Sequence, residues 1–178
     1  MTTAMAKTVV PVPTTVIVTD DWLAWAVEGL RVRAGLGIMY DSEPVAKAAR
    51  LLRDGADVAI VSAGIMTPRA LDAARQLEAE GIRAAVLHVG TLKPFDRSAV
   101  ATLLARVPRV VTAENHVVTG GLASAVADVA VDERLAIRLA RVGIPDCFCA
   151  SGSLPYLAER YGLTAPHLAA AARGLLRT

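Results

Sequence analysis

The chain has 178 residues, enough for one domain with a well-filled core and few for two. Apolar residues make up 54% of it and aromatic residues only 4%, a balance typical of an α/β domain with buried strands and alanine-rich helices. Its 19 Lys and Arg are interspersed with 17 acidic residues, giving a net charge of +2. Because no basic block or aromatic interleaving is present, the composition argues against a nucleic-acid-binding protein.

The lack of a recognisable targeting signal and the cysteine usage both favour an intracellular location. No stretch is long enough to span a membrane, and the N-terminus, "MTTAMAKTVVPVPTT", lacks the apolar segment of a signal peptide. Cys147 and Cys149 form a C-x-C pair, which is too close for an ordinary disulfide and lacks the C-x-x-C spacing of redox and zinc sites. We predict two small buried thiols in a reducing compartment, and hence a cytoplasmic protein that contacts neither membrane nor nucleic acid.

The first thirty-odd residues differ in character from the rest. They predict a strand at 15–18, a helix capped by an aspartate, and a short strand in "GLGIMY". The following stretch, "SEPVAKAARLLRDG", predicts a helix with Ser42 as its cap that ends at Gly55. We therefore place a boundary at 40–42.

Beyond that boundary, predicted strands and helices alternate. Thr67 is predicted to cap the first helix after the apolar strand "ADVAIVSAG", with Pro68 at its first position and Gly81 at its end. The later segments are two strand–helix pairs, a further strand and two closing helices capped by Ser153 and Thr164: "IRAAVLHVG", "RSAVATLLARV", "RVVTAE", "LASAVADVAV", "LAIRLARVG", "SLPYLAERYG" and "TAPHLAAAARGLL". This alternation predicts an α/β fold, a three-layer sandwich with a mostly parallel sheet and helices on both faces.

The richest polar segment, "TAENHVVTGG", follows one of these predicted strands, at the edge where ligands bind to open α/β sheets. Glu114, Asn115 and His116 are adjacent there, and a carboxylate beside an imidazole can orient it and raise its basicity. Gly120 and Gly121 allow close backbone approach and provide N–H groups at a helix start, where an anion would bind. The alternative is that these residues only satisfy the backbone of a turn and the terminus of the helix that follows it.

Other candidates give weaker signals. His88 lies in a predicted strand and is interpreted as a core or interface histidine, and His167 lies in the first turn of the last helix, on the surface. Lys93 could meet an anion, although a solvated lysine is the default. Ser62 and Ser124 lack the G-x-S-x-G setting of a hydrolase, and no phosphate-binding glycine motif or metal-ligand spacing occurs.

Three long stretches, in this order, resemble the C-terminal domain of transketolase-like, thiamine-diphosphate-dependent enzymes. They are "GADVAIVSAGIMTPRALDAARQLEAEGIRAAVLHVGTLKPFD", "RVVTAENHVVTGGLASAVADVA" and "RVGIPDCFCASGSLPYLAERYGLTAPHLAAAARGLL". The resemblance lies in a strand ending in Gly, a "T-x-x-P-x-D" loop, an E-x-H segment before Gly-Gly, and a "GIPD-x-F" ending. It covers Pro44 to Leu176 and implies a C-terminal-type domain over residues 42–178.

Residues 1–41 resemble the end of the preceding pyrimidine-binding domain, on the stretch "TTVIVTDDWLAWAVEGLRVRAGLGIMY". In the family, that domain holds the glutamate that activates the cofactor, and a separate domain binds the diphosphate through Mg²⁺ and a "GDG…N" motif. This sequence has neither the motif nor the body of a pyrimidine domain. The resemblance thus implies no catalytic, cofactor-binding or metal-binding residues in this chain, with thiamine diphosphate and Mg²⁺ present only in the assembled enzyme.

The family's E-x-H segment lies toward a domain interface, so the resemblance implies interface or substrate-entrance roles for Glu114, Asn115, His116, Gly120 and Gly121. The first hypothesis is a C-terminal subunit or section of a split transketolase-like enzyme, which transfers a two-carbon ketol unit between sugar-type substrates. Its partners would be catalytic subunits with the diphosphate and pyrimidine domains, in a homo- or hetero-oligomer. The alternatives are the equivalent piece of a 2-oxo-acid dehydrogenase beta subunit or of deoxyxylulose-phosphate synthase, and a stand-alone module that binds a small ligand.

Overall fold

The computed structural model describes residues 49–177. The chain divides into two units between Ser42 and Glu43, and all the described residues lie in the second unit. The strand, helix and strand predicted within residues 1–41, and their resemblance to a pyrimidine-binding domain, lie outside the described residues.

A five-stranded sheet forms the centre of the described unit, in the order β1-β3-β2-β4-β5. The strands are β1 (Ala49–Arg53), β2 (Val58–Ala63), β3 (Ala84–Val89), β4 (Arg109–Val117) and β5 (Arg138–Ile144). The edge strand β1 pairs antiparallel with β3, while the other three pairings are parallel. The prediction of a mostly parallel sheet is confirmed.

Helices cover both faces of the sheet, which gives three layers. They are α1 (Met66–Glu78), α2 (Arg97–Arg106), α3 (Leu122–Asp132), α4 (Leu154–Arg160) and α5 (Ala165–Leu176). Along β2, Val58 and Ile60 enter a core with α1 and α5, whereas Ala59 and Val61 enter a second core with α2 and α3. Strand β2 is therefore buried on both faces, as its unbroken apolar run indicates. No helix among residues 49–177 is long and apolar enough to cross a membrane.

The helix predicted over "SEPVAKAARLLRDG" is wrong for its described part, because Ala49–Arg53 is strand β1. Ala, Leu and Arg favour helices locally, but that preference is weak and tertiary pairing overrides it. Here β1 forms a ladder with β3, and the N–H of Ala49 donates to the Asp96 carboxylate at 3.2 Å. Asp96 is the N-cap of α2, so one carboxylate fixes both the strand and the helix.

Helix boundaries also differ from the prediction. Helix α1 begins at Met66 with Ile65 in the N-cap position, so Thr67 is an internal residue of the first turn and not the cap. The helix ends at Glu78, before the predicted end at Gly81. Pro68, the third helical residue, has no N–H and so removes one of the donors that a first turn leaves unpaired.

Candidate functional site

Glu114, Asn115 and His116 lie at the carboxyl end of β4. The prediction that they form a turn is wrong, since the strand extends to Val117. The β4–β5 ladder is irregular between Ala113 and Val117, which is where the three residues sit. Successive residues of a strand point to opposite faces, so Asn115 projects away from its two neighbours.

Glu114 is buried, with 3% of its surface exposed. Its two carboxylate oxygens accept hydrogen bonds from the N–H groups of Leu122, at 2.7 Å, and Ala123, at 2.9 Å. These are the first two residues of α3, whose N–H groups have no partner within the helix. The negative carboxylate also interacts favourably with the positive end of the helix dipole. Glu114 therefore caps α3 and occupies the place where an external anion was considered.

Two glycines make room for this carboxylate. A Cβ atom at Gly121 would overlap the Glu114 Oε2 atom and lie 3.0 Å from its Cδ atom. A Cβ atom at Gly143, within β5, would lie 3.1 Å from Glu114 Cγ and 2.9 Å from the carbonyl oxygen of His116. Gly143 was missed by the sequence analysis, although an isolated glycine inside a strand signals close backbone approach. Both positions need glycine for the cap to form.

Gly120 completes the junction in a different way. Its φ of +78° lies in the left-handed region that glycine adopts without strain. Its N–H donates to the Ser124 hydroxyl at 2.9 Å. The N–H groups of Gly120, Leu122 and Ala123 are thus used within the chain.

Asn115 and His116 are the exposed members of the segment. His116 Nδ1 lies 2.8 Å from the carbonyl oxygen of Val117, and since a carbonyl can only accept, Nδ1 bears the proton. In this tautomer the lone pair of the ring lies on Nε2. Asn115 lies on the α1 side, where a Cβ atom at Gly64 would be 3.5 Å from its Oδ1 atom. The segment presents an amide and an imidazole at the sheet edge.

A second polar cluster, which the sequence analysis missed, lies at the junction of β2 and α1. The Thr67 hydroxyl is 2.7 Å from His88 Nδ1 and 3.1 Å from the Ser62 hydroxyl, which is 3.4 Å from the carbonyl oxygen of Leu87. Each hydroxyl has one proton, so one direction satisfies all three contacts. Ser62 donates to the carbonyl, Thr67 donates to Ser62, and His88 Nδ1–H donates to Thr67. Burial lowers the pKa of His88, which favours the neutral ring in this chain of hydrogen bonds.

The remaining candidates are separate from both clusters. His167 is exposed on α5, and its Nδ1 lies 2.7 Å from the Thr164 hydroxyl, three residues earlier. Lys93 is exposed in the loop after β3. The prediction that Cys147 and Cys149 are buried is wrong, because both thiols are free and exposed in the loop after β5. Between residues 49 and 177, no group of three or more His, Cys, Asp or Glu is placed to hold a metal ion.

Residues 47–168 match the family model described as "Transketolase, C-terminal domain". Three similar proteins are a transketolase family protein of Sinorhizobium fredii, a 6-deoxy-6-sulfo-D-fructose transketolase subunit of a Clostridium species, and the 1-deoxy-D-xylulose-5-phosphate synthase of Heliobacterium modesticaldum. They are 48%, 48% and 41% identical to this chain over 126, 124 and 145 residues, which are 68%, 70% and 79% of it.

Among solved structures, the fold is similar to a split gene transketolase described as an inactive beta4 tetramer, with a TM-score of 0.70 and 44% identity over 74% of this chain. The match covers 43% of that structure's chain and 36%, 38% and 22% of the three relatives above. This chain thus corresponds to less than half the length of each. Since the family model spans most of its residues, the chain belongs to the transketolase C-terminal domain family.

Proposed function

We propose that this chain is the C-terminal subunit or section of a split transketolase-type enzyme of the cytoplasm. The enzyme transfers a two-carbon ketol unit between sugar-type substrates, and the chemistry takes place on a partner chain with the diphosphate and pyrimidine domains. Support comes from a relative named as a transketolase subunit, at 48% identity, and from a solved structure described as a split gene transketolase, at 44% identity.

One observation supports an assembly role above all. The Glu114 carboxylate is buried and used twice inside its own chain, so it is not placed to exchange protons with a substrate. It holds the end of β4 against α3, and Asn115 and His116 are left exposed at the edge. In this proposal Glu114, Gly120 and Gly121 position the segment, while Asn115 and His116 form hydrogen bonds with the partner near its substrate entrance.

The described residues do not fit thiamine diphosphate or Mg²⁺. A diphosphate at the start of α3 would meet the Glu114 carboxylate, which already occupies the first N–H groups. Mg²⁺ prefers several oxygen ligands, and none of the described acidic residues form such a group. The cofactor therefore belongs, in this proposal, to the partner chain.

The relative from Heliobacterium supports a second candidate, in which the chain completes a 1-deoxy-D-xylulose-5-phosphate synthase. The two candidates place the same residues at the same interface and differ in the partner's substrates. Assaying the assembled complex for ketol transfer between sugars and for condensation of a 2-oxo acid with an aldose phosphate separates them.

The test is reconstitution. The purified chain is titrated into the thiamine-diphosphate-binding chain of the same organism, and ketol-transfer activity and complex mass are measured together. We expect activity to rise with complex formation, and the chain alone to show no turnover and no calorimetric binding of thiamine diphosphate with Mg²⁺. Micromolar cofactor binding by the chain alone, or no complex with the partner, would contradict the proposal.

A further inference from the structure

The loop between β5 and α4, residues 145–153, presents a large apolar side chain to solvent. Phe148 is fully exposed, with Cys147 and Cys149 exposed on either side. Burying a phenylalanine contributes roughly 1.5–3 kcal/mol, and this side chain contributes none of that to the fold of the chain by itself. A single exposed apolar residue is common, but exposed Leu154 and Tyr156 follow Phe148 along the chain, and groups of exposed apolar side chains mark interaction sites.

The loop is tied down at its far end. The N–H of Ala150 donates to the Tyr161 hydroxyl at 2.8 Å. Gly152 lies directly against the Tyr156 ring, where a Cβ atom would be 2.6 Å from Cδ1. The Arg160 guanidinium lies 5.9 Å from the centres of both tyrosine rings and stacks with them. The segment that follows Phe148 is therefore supported by the fold, so binding through this loop costs less ordering than binding through a free tail.

This loop is continuous with the end of β4. The N–H of Val118 donates to the carbonyl oxygen of Ile144 at 3.0 Å, at the point where the loop leaves the sheet. Among residues 49–177, most of the exposed large apolar side chains follow the carboxyl ends of strands; these are Ile65, Leu92, Phe148, Leu154 and Tyr156. The carboxyl ends of the strands thus carry exposed polar groups at Asn115 and His116 and are followed along the chain by exposed apolar groups.

We propose that Phe148 is the apolar anchor through which this chain docks on the partner that binds thiamine diphosphate, with its ring in a pocket lined by aliphatic and aromatic side chains. The inference rests on the proposed function and adds to it a surface and an anchor residue. Aromatic residues that enter such pockets dominate the affinity of many interfaces, surrounded by weaker polar contacts. Asn115 and His116 are suited to form these weaker polar contacts around the anchor.

The relatives favour this partner over a second copy of the chain. In two of them this domain is 38% and 22% of a longer chain, so its surface there adjoins a larger body. Both relatives thus have further domains next to this one. In the proposed assembly, the catalytic partner takes the place of those domains.

The test compares Phe148→Ala with Val131→Ala, a matched removal of an exposed apolar side chain at the end of α3, 75% exposed. Both full-length variants are titrated calorimetrically against the thiamine-diphosphate-binding chain of the same organism. We expect Phe148→Ala to weaken binding about thirtyfold or more and Val131→Ala to change it less than about twofold. Thermal unfolding should be the same for both, because neither side chain is buried.

Every other outcome contradicts the inference, and the outcomes can be told apart from one another. Equal binding by Phe148→Ala and wild type would overturn the anchor and leave the proposed function intact. No binding by the wild-type chain would overturn both. If sedimentation shows that the chain alone self-associates and that Phe148→Ala abolishes this, the occupant is a second copy and the commitment to the catalytic partner is wrong.

Discussion

Two of the strand-to-helix junctions in the described unit satisfy the first N–H groups of their helices in different ways. At the β4–α3 junction, an ionisable carboxylate from Glu114 satisfies two helix N–H groups, and Gly121 and Gly143 make space for it. At the β2–α1 junction no side chain caps the helix; Pro68 removes one donor, and a neutral chain through Ser62, Thr67 and His88 ties helix to sheet. The first junction depends on a close steric fit, the second on the protonation state of a histidine.

The largest loss of stability should come from Gly121→Ala, which tests the steric fit at the β4–α3 junction. The new methyl group would displace the Glu114 carboxylate from both N–H groups, and hydrogen bonds to a charged group contribute about 1.5–3 kcal/mol each. We expect a loss of about 3 kcal/mol in the free energy of unfolding, measured in urea.

The matched control is Gly174→Ala in α5, where an added Cβ atom meets nothing within 4 Å. Alanine is the better helix former, so this variant should be unchanged or more stable by up to about 1 kcal/mol. Equal stability of Gly121→Ala and wild type would show that the carboxylate is not held as described.

Glu114→Gln should have the next largest effect. The amide keeps the shape but offers one acceptor and one donor to two N–H groups, so one N–H loses its partner in a buried site. We expect a loss of about 2 kcal/mol. The same change at Glu159, exposed on α4, should stay within about 0.5 kcal/mol of wild type. If the two variants unfold alike, the cap contributes little.

A change at the β2–α1 junction should have a smaller effect on stability, and this effect should depend on pH. Burial lowers the pKa of His88 in the folded chain, so on acidification the unfolded chain takes up a proton first. Stability conferred by the neutral ring is present above about pH 6.5, the ordinary histidine value, and is lost as the pH falls toward the lowered folded pKa. Between pH 7 and pH 5, wild type should therefore lose more stability than His88→Gln.

The lower limit of pH 5 keeps the paired carboxylates out of this window. Hydrogen bonds from Arg83, for example, lower the pKa of the Asp57 carboxyl below its ordinary value, so that group titrates at more acidic pH. His167→Gln is the matched control, since His167 is exposed on α5, and it should keep the wild-type difference between the two pH values. A His88→Gln variant with undiminished acid sensitivity would contradict the account of this junction.

The sequence predicted most of the fold because buried parallel strands and capped helices leave local signals. The apolar run of β2 and the helix after Gly121 are examples. It did not predict β1, since an edge strand of Ala, Leu and Arg is defined by its pairing with β3 and not by its own composition.

The site was predicted in the same uneven way. Glu114, Asn115 and His116 were identified from their chemistry, but the role of Glu114 depends on N–H groups eight and nine residues later and on Gly143 in another strand. The His88 chain links residues from β2, β3 and α1. Contacts of this kind exist only once the sheet has formed; the isolated Gly143 signals a close backbone approach but does not indicate which group comes near it.

The most direct test of the central claim, that the end of β4 serves assembly and not chemistry, is a titration of the His116→Ala chain against a fixed amount of catalytic partner. Losing one interface hydrogen bond costs about 1–3 kcal/mol, or about a five- to hundredfold loss of affinity, and excess chain restores occupancy. Losing a general acid or base costs roughly 10²–10⁴-fold in rate, and no excess restores it. We predict that activity reaches the wild-type plateau at higher concentrations of the variant. A plateau far below wild type, with binding saturated, would show that His116 takes part in the reaction and would contradict the account.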